Sequence, residues 1–499
     1  MTTENMQFEI GLGRPRAAAF RSDADRQFRV LVLGDITGHE PGQRTTPLAQ
    51  RAPIRVDVDN LPQVFARIAP RLSINLEGTP LTIEFRSLDD FHPDNVFRRL
   101  APFASLRELR AELKDPALFR RAAAALGVAP VAETRATGAE PAEAASDIER
   151  LLGRAPQAKP AAAPAAAALD AWLRNAVAPH VVADTAQEQQ QLIAAVDAAT
   201  AEQMRRILSH PAFQALEASW RGITRLVNEV ESEDALQVCL LDASREELAN
   251  DIAAAERDLG ESGLYRHLCG AQTELPDGQP WSLLVGDYAF GATAEDVKVL
   301  AVLGAMAARA GAPLLAGASL EVLGCGGIER LAEPKSWSEL DSETALRWRA
   351  LRTSAGAPWI GLALPRVLAR LPYGARTDPI ESFAFEELPA SRDHEAYLWG
   401  NPAFALVLLA AQAFQEDGWG MDLDRHLDIS DLPSHTYRQE GEAKLQPCAE
   451  VLVGESVAEA ILARGVMPLL SYRNRNAARL LRWQSLADPQ RALRGVWVG

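Results

Sequence analysis

A stretch rich in alanine and proline near the middle of the chain constrains its architecture more than any other feature. Residues 129–168 are dominated by Ala, Pro, Glu and Gly, and include the run Lys159-Pro160-Ala161-Ala162-Ala163-Pro164-Ala165. The prolines oppose a continuous helix and alanine offers little apolar area, so this stretch cannot build a core. We therefore predict an α/β domain at residues 1–128 (the first segment), a linker at 129–168, and a larger α/β region at 169–499 (the second segment).

The composition is ordinary for a soluble globular protein, with an excess of acidic residues. The 499 residues are 47% hydrophobic and 24% charged, and 67 acidic against 51 basic residues give a formal net charge of −16. This length allows two or three domains with a substantial buried core. The acidic balance argues against general nucleic-acid binding, which needs a basic face to replace counterions on phosphates.

The sequence shows neither a membrane anchor nor a disulfide framework. No stretch reaches the roughly 18–20 apolar residues of a membrane span, and residues 1–5 lack the basic start of a signal peptide. The cysteines form no CxxC pair, so buried free thiols in a reducing compartment are expected. These cysteines are Cys239, Cys269, Cys325 and Cys448. We predict a cytoplasmic protein without membrane insertion.

In the first segment, short strands precede a helical stretch. The β-type runs lie at residues 28–33, 54–58, 72–76 and 81–85. Asn60 is expected to cap a short helix that begins near Leu61, with Pro62 at an early helical position. Apolar residues then recur every three to four positions from Val96 to Leu113, which predicts one helical stripe.

In the second segment, helices alternate with strands. Helices are predicted at 185–208, after Pro211, after Ser244 and at 294–310, and strands at 236–241, 281–285 and 313–316. Ser244 followed by Glu247 has the spacing of a capping box. This alternation is typical of a layered α/β region. The predicted fold class is therefore α/β, with mixed sheets and packed helices in two domains joined by the linker.

The sequence carries no recognisable catalytic, metal-binding or cofactor-binding motif. Gly324-Cys325-Gly326-Gly327 lacks the third glycine of a dinucleotide fingerprint, because Glu329 stands there, and a tight turn closing a strand is preferred. There is no Gly-Lys-Ser/Thr phosphate loop, no HExxH pattern and no GxSxG elbow. We expect no catalytic residue, metal or cofactor. Catalytic groups can lie far apart in sequence, so an enzyme or ligand-binding protein stays an alternative.

The run at residues 85–94 is the first of two candidate signatures. Asp89 and Asp90 are adjacent, so their side chains point in different directions and cannot flank one substrate as a glycosidase pair does. Helix capping by Asp90 or Asp94 is therefore the preferred interpretation. The candidate structural or interface residues in this run are Phe85, Leu88, Asp89, Asp90, Phe91, Pro93 and Asp94.

The second candidate signature is Trp220-Arg221-Gly222. A tryptophan buries a large area, and an arginine can pair with a carboxylate or stack on a ring. A core tryptophan with a capping arginine fits this pattern, and so does an anchor at a protein interface. Trp220 and Arg221 are therefore added to the candidate structural or interface residues.

The two segments resemble the two subunits of a bacterial contractile sheath, that of the type VI secretion system. Residues 28–125 resemble the small subunit (the TssB or VipA family), and residues 190–490 resemble the large subunit (the TssC or VipB family). The first resemblance is carried by Val32-Leu33-Gly34-Asp35, Arg51-Ala52-Pro53-Ile54 and the run 85–94. The second is carried by His210-Pro211-Ala212-Phe213, Leu216–Gly222, Gly286-Asp287-Tyr288, Trp348–Arg352, Gly361–Arg366, Pro372-Tyr373-Gly374, Leu398–Asn401, Gln446–Glu450, Met467-Pro468-Leu469 and Gln484-Ser485-Leu486.

This resemblance implies a mechanical role in place of a catalytic one. In the family, subunits polymerise as a helical sheath around an inner tube, and the energy of contraction is stored in two packings of one polymer. The implied partners are sheath subunits or copies of itself, the inner tube protein, the baseplate and a disassembly ATPase. The implied function is a structural component of a type VI secretion contractile apparatus.

Two departures from the family pattern leave alternatives open. The segments are joined, which raises the effective concentration of each near the other to roughly millimolar for a short flexible tether. The sequence also stops at Gly499, soon after Gln484-Ser485-Leu486, whereas the large subunit continues with strands that interlock neighbours. We expect a fused sheath subunit that polymerises. The alternative is a sheath-like adaptor or cap at a sheath end or baseplate that does not polymerise.

Overall fold

A computed structural model describes the chain on both sides of the predicted linker. The described residues are 27–39, 44, 46–76, 78–126, 188–230, 235–270, 279–388, 393–439 and 441–497. The chain divides into a sheet unit, Met1–Phe91 with Ile207–Asp378 and Leu388–Gly499, and a helical unit, His92–Arg206 with Pro379–Glu387. The predicted linker at residues 129–168, with its boundaries at 128 and 169, lies outside the described residues and stays a prediction.

One large sheet forms the centre of the sheet unit. The strands are β1 (Phe28–Gly34), β2 (Ile54–Val56), β3 (Arg71–Leu76), β4 (Thr79–Glu84), β5 (Leu236–Asp242), β6 (Leu283–Phe290), β7 (Leu314–Ala318), β8 (Ile360–Leu364), β9 (Val367–Leu368), β10 (Trp399–Gly400), β11 (Asp428–Ile429), β12 (Thr436–Gln439), β13 (Glu442–Leu445), β14 (Val466–Ser471) and β15 (Ala478–Leu480). Among the described residues, nine strands pair in the order β11-β15-β14-β8-β7-β6-β1-β5-β2. The pairs β3–β4, β9–β10 and β12–β13 form separate two-stranded sheets.

The first and second segments share this sheet. Strand β1 comes from the first segment and lies between β5 and β6 of the second, with Val30 opposite Val238 on one side and Leu283 on the other. From β5 to β14 the central strands run parallel, whereas β2, β15 and β11 are antiparallel to their neighbours. Because β5 and β6 are connected only through β1, the second segment has a continuous sheet only when the first segment is present.

Helices cover the sheet and form the helical unit. The helices are α1 (Leu61–Ile68), α2 (Pro93–Arg99), α3 (Ala101–Lys114), α4 (Phe119–Ala125), α5 (Glu188–Leu208), α6 (Pro211–Glu229), α7 (Arg245–Ala254), α8 (Gly263–Cys269), α9 (Ala294–Ala310), α10 (Ser342–Arg352), α11 (Pro402–Asp417) and α12 (Glu455–Ala463). On β1, Leu31 and Leu33 join a buried apolar cluster with residues of α7 and α9, whereas Phe28 stacks on Phe414 of α11 with ring centroids 4.7 Å apart. Burial on both faces is typical of parallel strands.

The helical unit corrects one prediction. The apolar stripe expected to form one helix is divided between α2 and α3, because Leu100 has an extended backbone with ψ of 136°. Pro102 then occupies the first turn of α3, where a missing N–H costs nothing. Within the unit, the ring centroid of Phe97 lies 5.5 Å from that of Phe103 and 4.9 Å from that of Phe383. These three rings form an aromatic cluster in the core of the unit.

Most of the other local predictions are confirmed. Ser244 and Glu247 form a capping box at the start of α7, and the four cysteines are free and buried. The predicted cap at Asn60 is wrong: its Oδ1 accepts a hydrogen bond from Asp57 N (3.0 Å), and no side-chain cap is formed. The glycine-rich turn at Gly324 follows a short 3₁₀ helix and not a strand. No helix in the described ranges combines the length and apolar character needed to cross a membrane.

Candidate functional site

Aromatic residues of both segments meet in the core of the sheet unit. The ring of Phe85, the residue after β4, stacks on Phe91 with centroids 4.1 Å apart. Both rings contact Phe213 on α6 edge-on, at 5.9 and 5.5 Å. All three side chains are almost completely buried. Two signature residues of the first segment are therefore packed against the second segment.

Trp220 lies seven residues after Phe213, on the same face of α6, and is also buried in this core. Its side chain is 0% exposed, its ring lies 4.3 Å from Phe65 of α1, and its Nε1 donates a hydrogen bond to Ile36 O (3.0 Å). The next residue but one, Gly222, lies where α6 approaches α11 closely. A glycine is needed there because a Cβ would come within 2.5 Å of the Phe404 ring. Of the two interpretations of Trp220, core packing agrees with this geometry.

The acidic residues of the first signature do not act as a pair. Leu88–Phe91 form a 3₁₀ helix, in which Leu88 is half-buried and Asp89 is exposed. One oxygen of Asp90, Oδ2, accepts backbone hydrogen bonds from Arg86 N (2.6 Å) and Ser87 N (3.3 Å). Asp90 thus satisfies the backbone donors that precede the short helix.

Pro93 and Asp94 belong to the helical unit, at the start of α2. The cap of this helix is His92, whose Nδ1 accepts from Asp94 N (3.2 Å), so Asp94 is not the capping residue. The Asp94 carboxylate instead accepts hydrogen bonds from Glu381 N (3.1 Å) and Ser382 N (3.0 Å). Burial favours the neutral acid, but these hydrogen bonds outweigh it and lower the pKa of Asp94.

Arg221 belongs to a buried cluster centred on Glu217. The Glu217 side chain is 0% exposed, and its carboxylate accepts from Arg221 Nε (2.8 Å) and Arg370 Nε (2.7 Å). Tyr373 completes the cluster, because its hydroxyl accepts from Arg221 and its ring lies 4.0 Å from the Arg370 guanidinium. Burial raises the pKa of Glu217, but the two arginines more than offset this effect and lower it.

Sequence reasoning missed Glu217, although a signal was present. Glu217 lies four residues after Phe213 and three before Trp220, so it falls on the apolar face of α6. A carboxylate on such a face needs a buried cationic partner. Arg221, one turn further along, is the partner that the spacing indicates.

A second carboxylate, the half-buried Asp287 on β6, lies at the carboxyl end of the parallel strands. Its Oδ2 accepts a hydrogen bond from Ser219 Oγ of α6 (2.5 Å). Burial raises the pKa of Asp287 to about 6, although hydrogen bonds from Ser219 and Asn401 oppose the shift, and the charge of Asp35 adds to it. Within the described part of the chain, Asp287 forms no ion pair with an arginine, lysine or histidine.

Near Asp287, two arginines of the first segment pair with acids of the second segment. Arg44 Nε lies 3.0 Å from Asp242 Oδ2, its NH1 lies 2.9 Å from Glu247 Oε2, and it also pairs with Asp35. Arg51 donates to the Asp242 carbonyl oxygen (2.9 Å) and to both oxygens of Glu247. Because Asp35 follows β1 and Asp242 is the last residue of the neighbouring parallel strand β5, their carboxylates lie at the same end of the sheet.

The charged side chains of these clusters are engaged with one another or with the backbone. In the described residues, no group of three or more His, Cys, Asp or Glu side chains is arranged to hold a metal ion. A small cavity of about 50 Å³ between α6, β9 and α11 is lined mostly by apolar side chains and by Arg221 and Arg225. Both arginines are committed to ion pairs, with Glu217 and Glu229 respectively.

Comparison with known protein families identifies the same two segments. The family described as EvpB/VC_A0108, tail sheath N-terminal domain, matches residues 190–487. The family described as type VI secretion system, VipA, VC_A0107 or Hcp2, matches residues 21–120. The first match alone covers more than half of the chain, and both agree with the resemblances that the sequence motifs indicated.

Two proteins of Pseudomonas aeruginosa are similar to the chain. The type VI secretion system sheath protein TssC1 is 32% identical over 312 residues, which are 61% of this chain and 63% of TssC1. The type VI secretion system sheath protein TssB1 is 32% identical over 95 residues, which are 18% of this chain and 55% of TssB1. The chain thus spans less than two thirds of the length of each relative. With the large-subunit family matched over more than half of this chain and the small-subunit family matched before it, this chain belongs to the type VI secretion sheath family, as a fusion of its two kinds of subunit.

Proposed function

We propose that the chain is a structural component of a type VI secretion contractile apparatus, assembled as a fused sheath subunit around an inner tube. The observation that carries this proposal is the position of β1, between β5 and β6 of the other segment. Each fused chain therefore contains both sheath-like segments in one sheet, in a fixed one-to-one ratio. A repeating unit of this kind is what a sheath requires.

The proposed role is mechanical and involves no reaction. We assign the chain to the cytoplasm, where its partners are other copies or separate sheath subunits and the inner tube protein. The baseplate and a disassembly ATPase complete the proposed set of partners. The charged clusters support this role, because their arginines and carboxylates are engaged with each other and hold α6 to its neighbours.

We assign different roles to the signature residues according to their exposure. Of the nine, all of which the structure describes, Asp89 alone is exposed. Phe85, Phe91 and Trp220 support the shared core, so their replacement would disturb folding. Asp89 is instead proposed to contact a neighbouring subunit of the assembly.

Negative-stain electron microscopy of the purified chain tests the proposal, first alone and then mixed with separate sheath subunits. Tubes formed by the chain alone would support the fused sheath subunit. Discrete particles bound only to sheath ends would favour a cap in its place. Particles with affinity for neither sheath nor tube would contradict both structural roles.

A pair of charge reversals tests the role of Asp89. Asp89→Lys is expected to lower the amount of assembled material severalfold relative to the wild-type chain, with the unfolding temperature measured beside it. Asp59→Lys is the matched control, because Asp59 is also an exposed aspartate of the sheet unit outside the signature. Equal assembly by the two variants would contradict the assignment of Asp89.

A further inference from the structure

Ion pairs between the two segments are concentrated at one place in the sheet unit. We define the intersegment charge cluster as Arg44 and Arg51 of the first segment with Asp242 and Glu247 of the second. The arginine side chains are only 6% and 12% exposed, and those of Asp242 and Glu247 are 17% and 24% exposed. The attraction between charges screened from water to this degree is stronger than between exposed charges, and the loss of either partner leaves a desolvated charge unpaired.

Each acid of the cluster depends on the first segment for its partners. Asp242 receives hydrogen bonds from Ile36 N (3.1 Å) and Thr37 Oγ1 (3.1 Å) besides its ion pair with Arg44. Glu247 caps α7 through Ser244 N (3.0 Å) and directs both oxygens to Arg51. Burial raises the pKa of Glu247, but the bond from Arg51, the cap and Arg44 outweigh it, so the carboxylate stays charged.

The shared aromatic core and the charge cluster discriminate between partners to different degrees. Apolar cores tolerate changes of side chain when the total volume is retained, so rings such as Phe85 and Trp220 select weakly among related segments. A buried carboxylate that faces a second carboxylate, or no cation, costs several kcal/mol. Such a penalty against wrong partners is one of the two ways in which a protein discriminates between related partners.

We propose that the intersegment charge cluster determines which first segment the second segment accepts. The accepted partner, from the same chain or from a separate small sheath subunit, carries two guanidinium groups at the positions of Arg44 and Arg51. A first segment with neutral or acidic residues there is rejected. This inference goes beyond sheath assembly, because it concerns the pairing of segments before any polymer forms.

A charge-reversal cycle in the full chain tests the energetic part. The variants are Arg44→Glu/Arg51→Glu, Asp242→Arg/Glu247→Arg, and the quadruple combination. Each double variant is expected to give less soluble protein than the wild type and to unfold at a lower midpoint. If the effects of the two double variants were additive, their free-energy changes would predict a certain unfolding constant for the quadruple variant. The measured constant should be at least about tenfold lower than that value. Reversal of the exposed pair Lys298–Glu256, whose side chains are 48% and 73% exposed, is the control, and should change the constant less than about threefold.

Co-expression of two differently tagged full chains tests the choice of partner. One chain carries Arg44→Glu/Arg51→Glu and the other carries Asp242→Arg/Glu247→Arg. The first segment of each chain is then complementary in charge to the second segment of the other chain. The two chains are expected to be recovered together through both tags, at least tenfold above either chain expressed with a second copy of itself. The readout is pairing and not tube formation, so it is independent of the outcome of electron microscopy.

Three results would overturn the inference. The double variants could unfold like the wild-type chain. The quadruple variant could show no recovery beyond additivity, which would mean that the four side chains act separately in folding. The co-expressed chains could pair no better with each other than with themselves, which would show that charge does not select the partner.

Discussion

Two carboxylates beside helix α6 show how one core treats buried charge in opposite ways. Glu217, on the helix itself, is completely buried and receives Nε donors from Arg221 and Arg370 at 2.8 and 2.7 Å. Asp287, on β6, is only partly buried and is held by the Ser219 hydroxyl at 2.5 Å. The more buried acid has the lowered pKa, and the less buried acid has a pKa raised to about 6. Cationic partners, and not depth alone, therefore decide the charge state.

The two carboxylates should contribute to stability with opposite dependence on pH. Glu217 has a folded-state pKa below its usual value, so its contribution is present above about pH 4.5 and is lost as the pH falls through the folded value. Asp287 has a folded-state pKa above its usual value, so the folded state gains a proton first. Its contribution grows as the pH falls from about 7 toward 4.

The largest effect is expected where the paired acid is neutralised. Glu217→Gln leaves the buried Arg370 and its neighbour Arg221 without a counter-charge, and we expect it to lower the free energy of unfolding of the sheet unit by about 3–5 kcal/mol. Urea unfolding at pH 7.5, followed by tryptophan fluorescence, measures this loss. A loss below about 1 kcal/mol would show that the two arginines do not depend on this carboxylate.

Neutralising the other acid should have the opposite sign. Asp287→Asn removes a charge that burial and Asp35 disfavour, so at pH 8 we expect the variant to be more stable than the wild type by about 2 kcal/mol. This is less than the whole pKa shift would give, because Asp287 is partly exposed. The advantage should disappear near pH 4, where the wild-type carboxyl is protonated. Unfolding curves at both pH values make the measurement, and a constant difference between them would contradict the pKa of about 6.

A third variant changes the partner of Asp287 and not the acid. Ser219→Ala removes the hydroxyl that donates to the charged carboxylate, so we expect a loss of about 1 kcal/mol at pH 8 and a smaller loss at pH 4. The midpoint of the pH dependence should also move upward. Potentiometric or NMR titration of the folded protein checks this direction, and a downward movement would mean that Ser219 does not stabilise the charged form.

Local sequence patterns predicted the pieces of this region but not their arrangement. The run at residues 28–33 indicated β1, and the apolar period after Pro211 indicated α6, because each pattern depends on neighbours along the chain. Nothing local shows that β1 is inserted between β5 and β6, whose residues lie more than 200 positions away. This non-local pairing was not predicted from the sequence, because it depends on residues that meet only in the folded chain.

The candidate residues show the same difference between local and non-local information. Trp220 was recognised from its residue type, and its burial agrees with the interpretation as a core tryptophan. Asp287 was quoted only as part of a motif, because its environment comes from α6, α11 and the end of β1, which meet only in the folded chain. Arg44 lies in no periodic pattern, so its contacts with Asp242 and Glu247 could not be predicted.

The smallest effect is expected from the same chemical change on the exposed side of α6. Glu229 forms an ion pair with Arg225 one turn away, with Nε and Oε1 separated by 2.6 Å, but its side chain is 35% exposed. Glu229→Gln should lower the free energy of unfolding by less than about 0.5 kcal/mol, because water solvates both groups once the pair is broken. Measured beside Glu217→Gln on the same helix, it isolates the effect of burial from that of losing an ion pair. Equal losses for the two variants would refute the view that desolvation of the arginines makes Glu217 necessary.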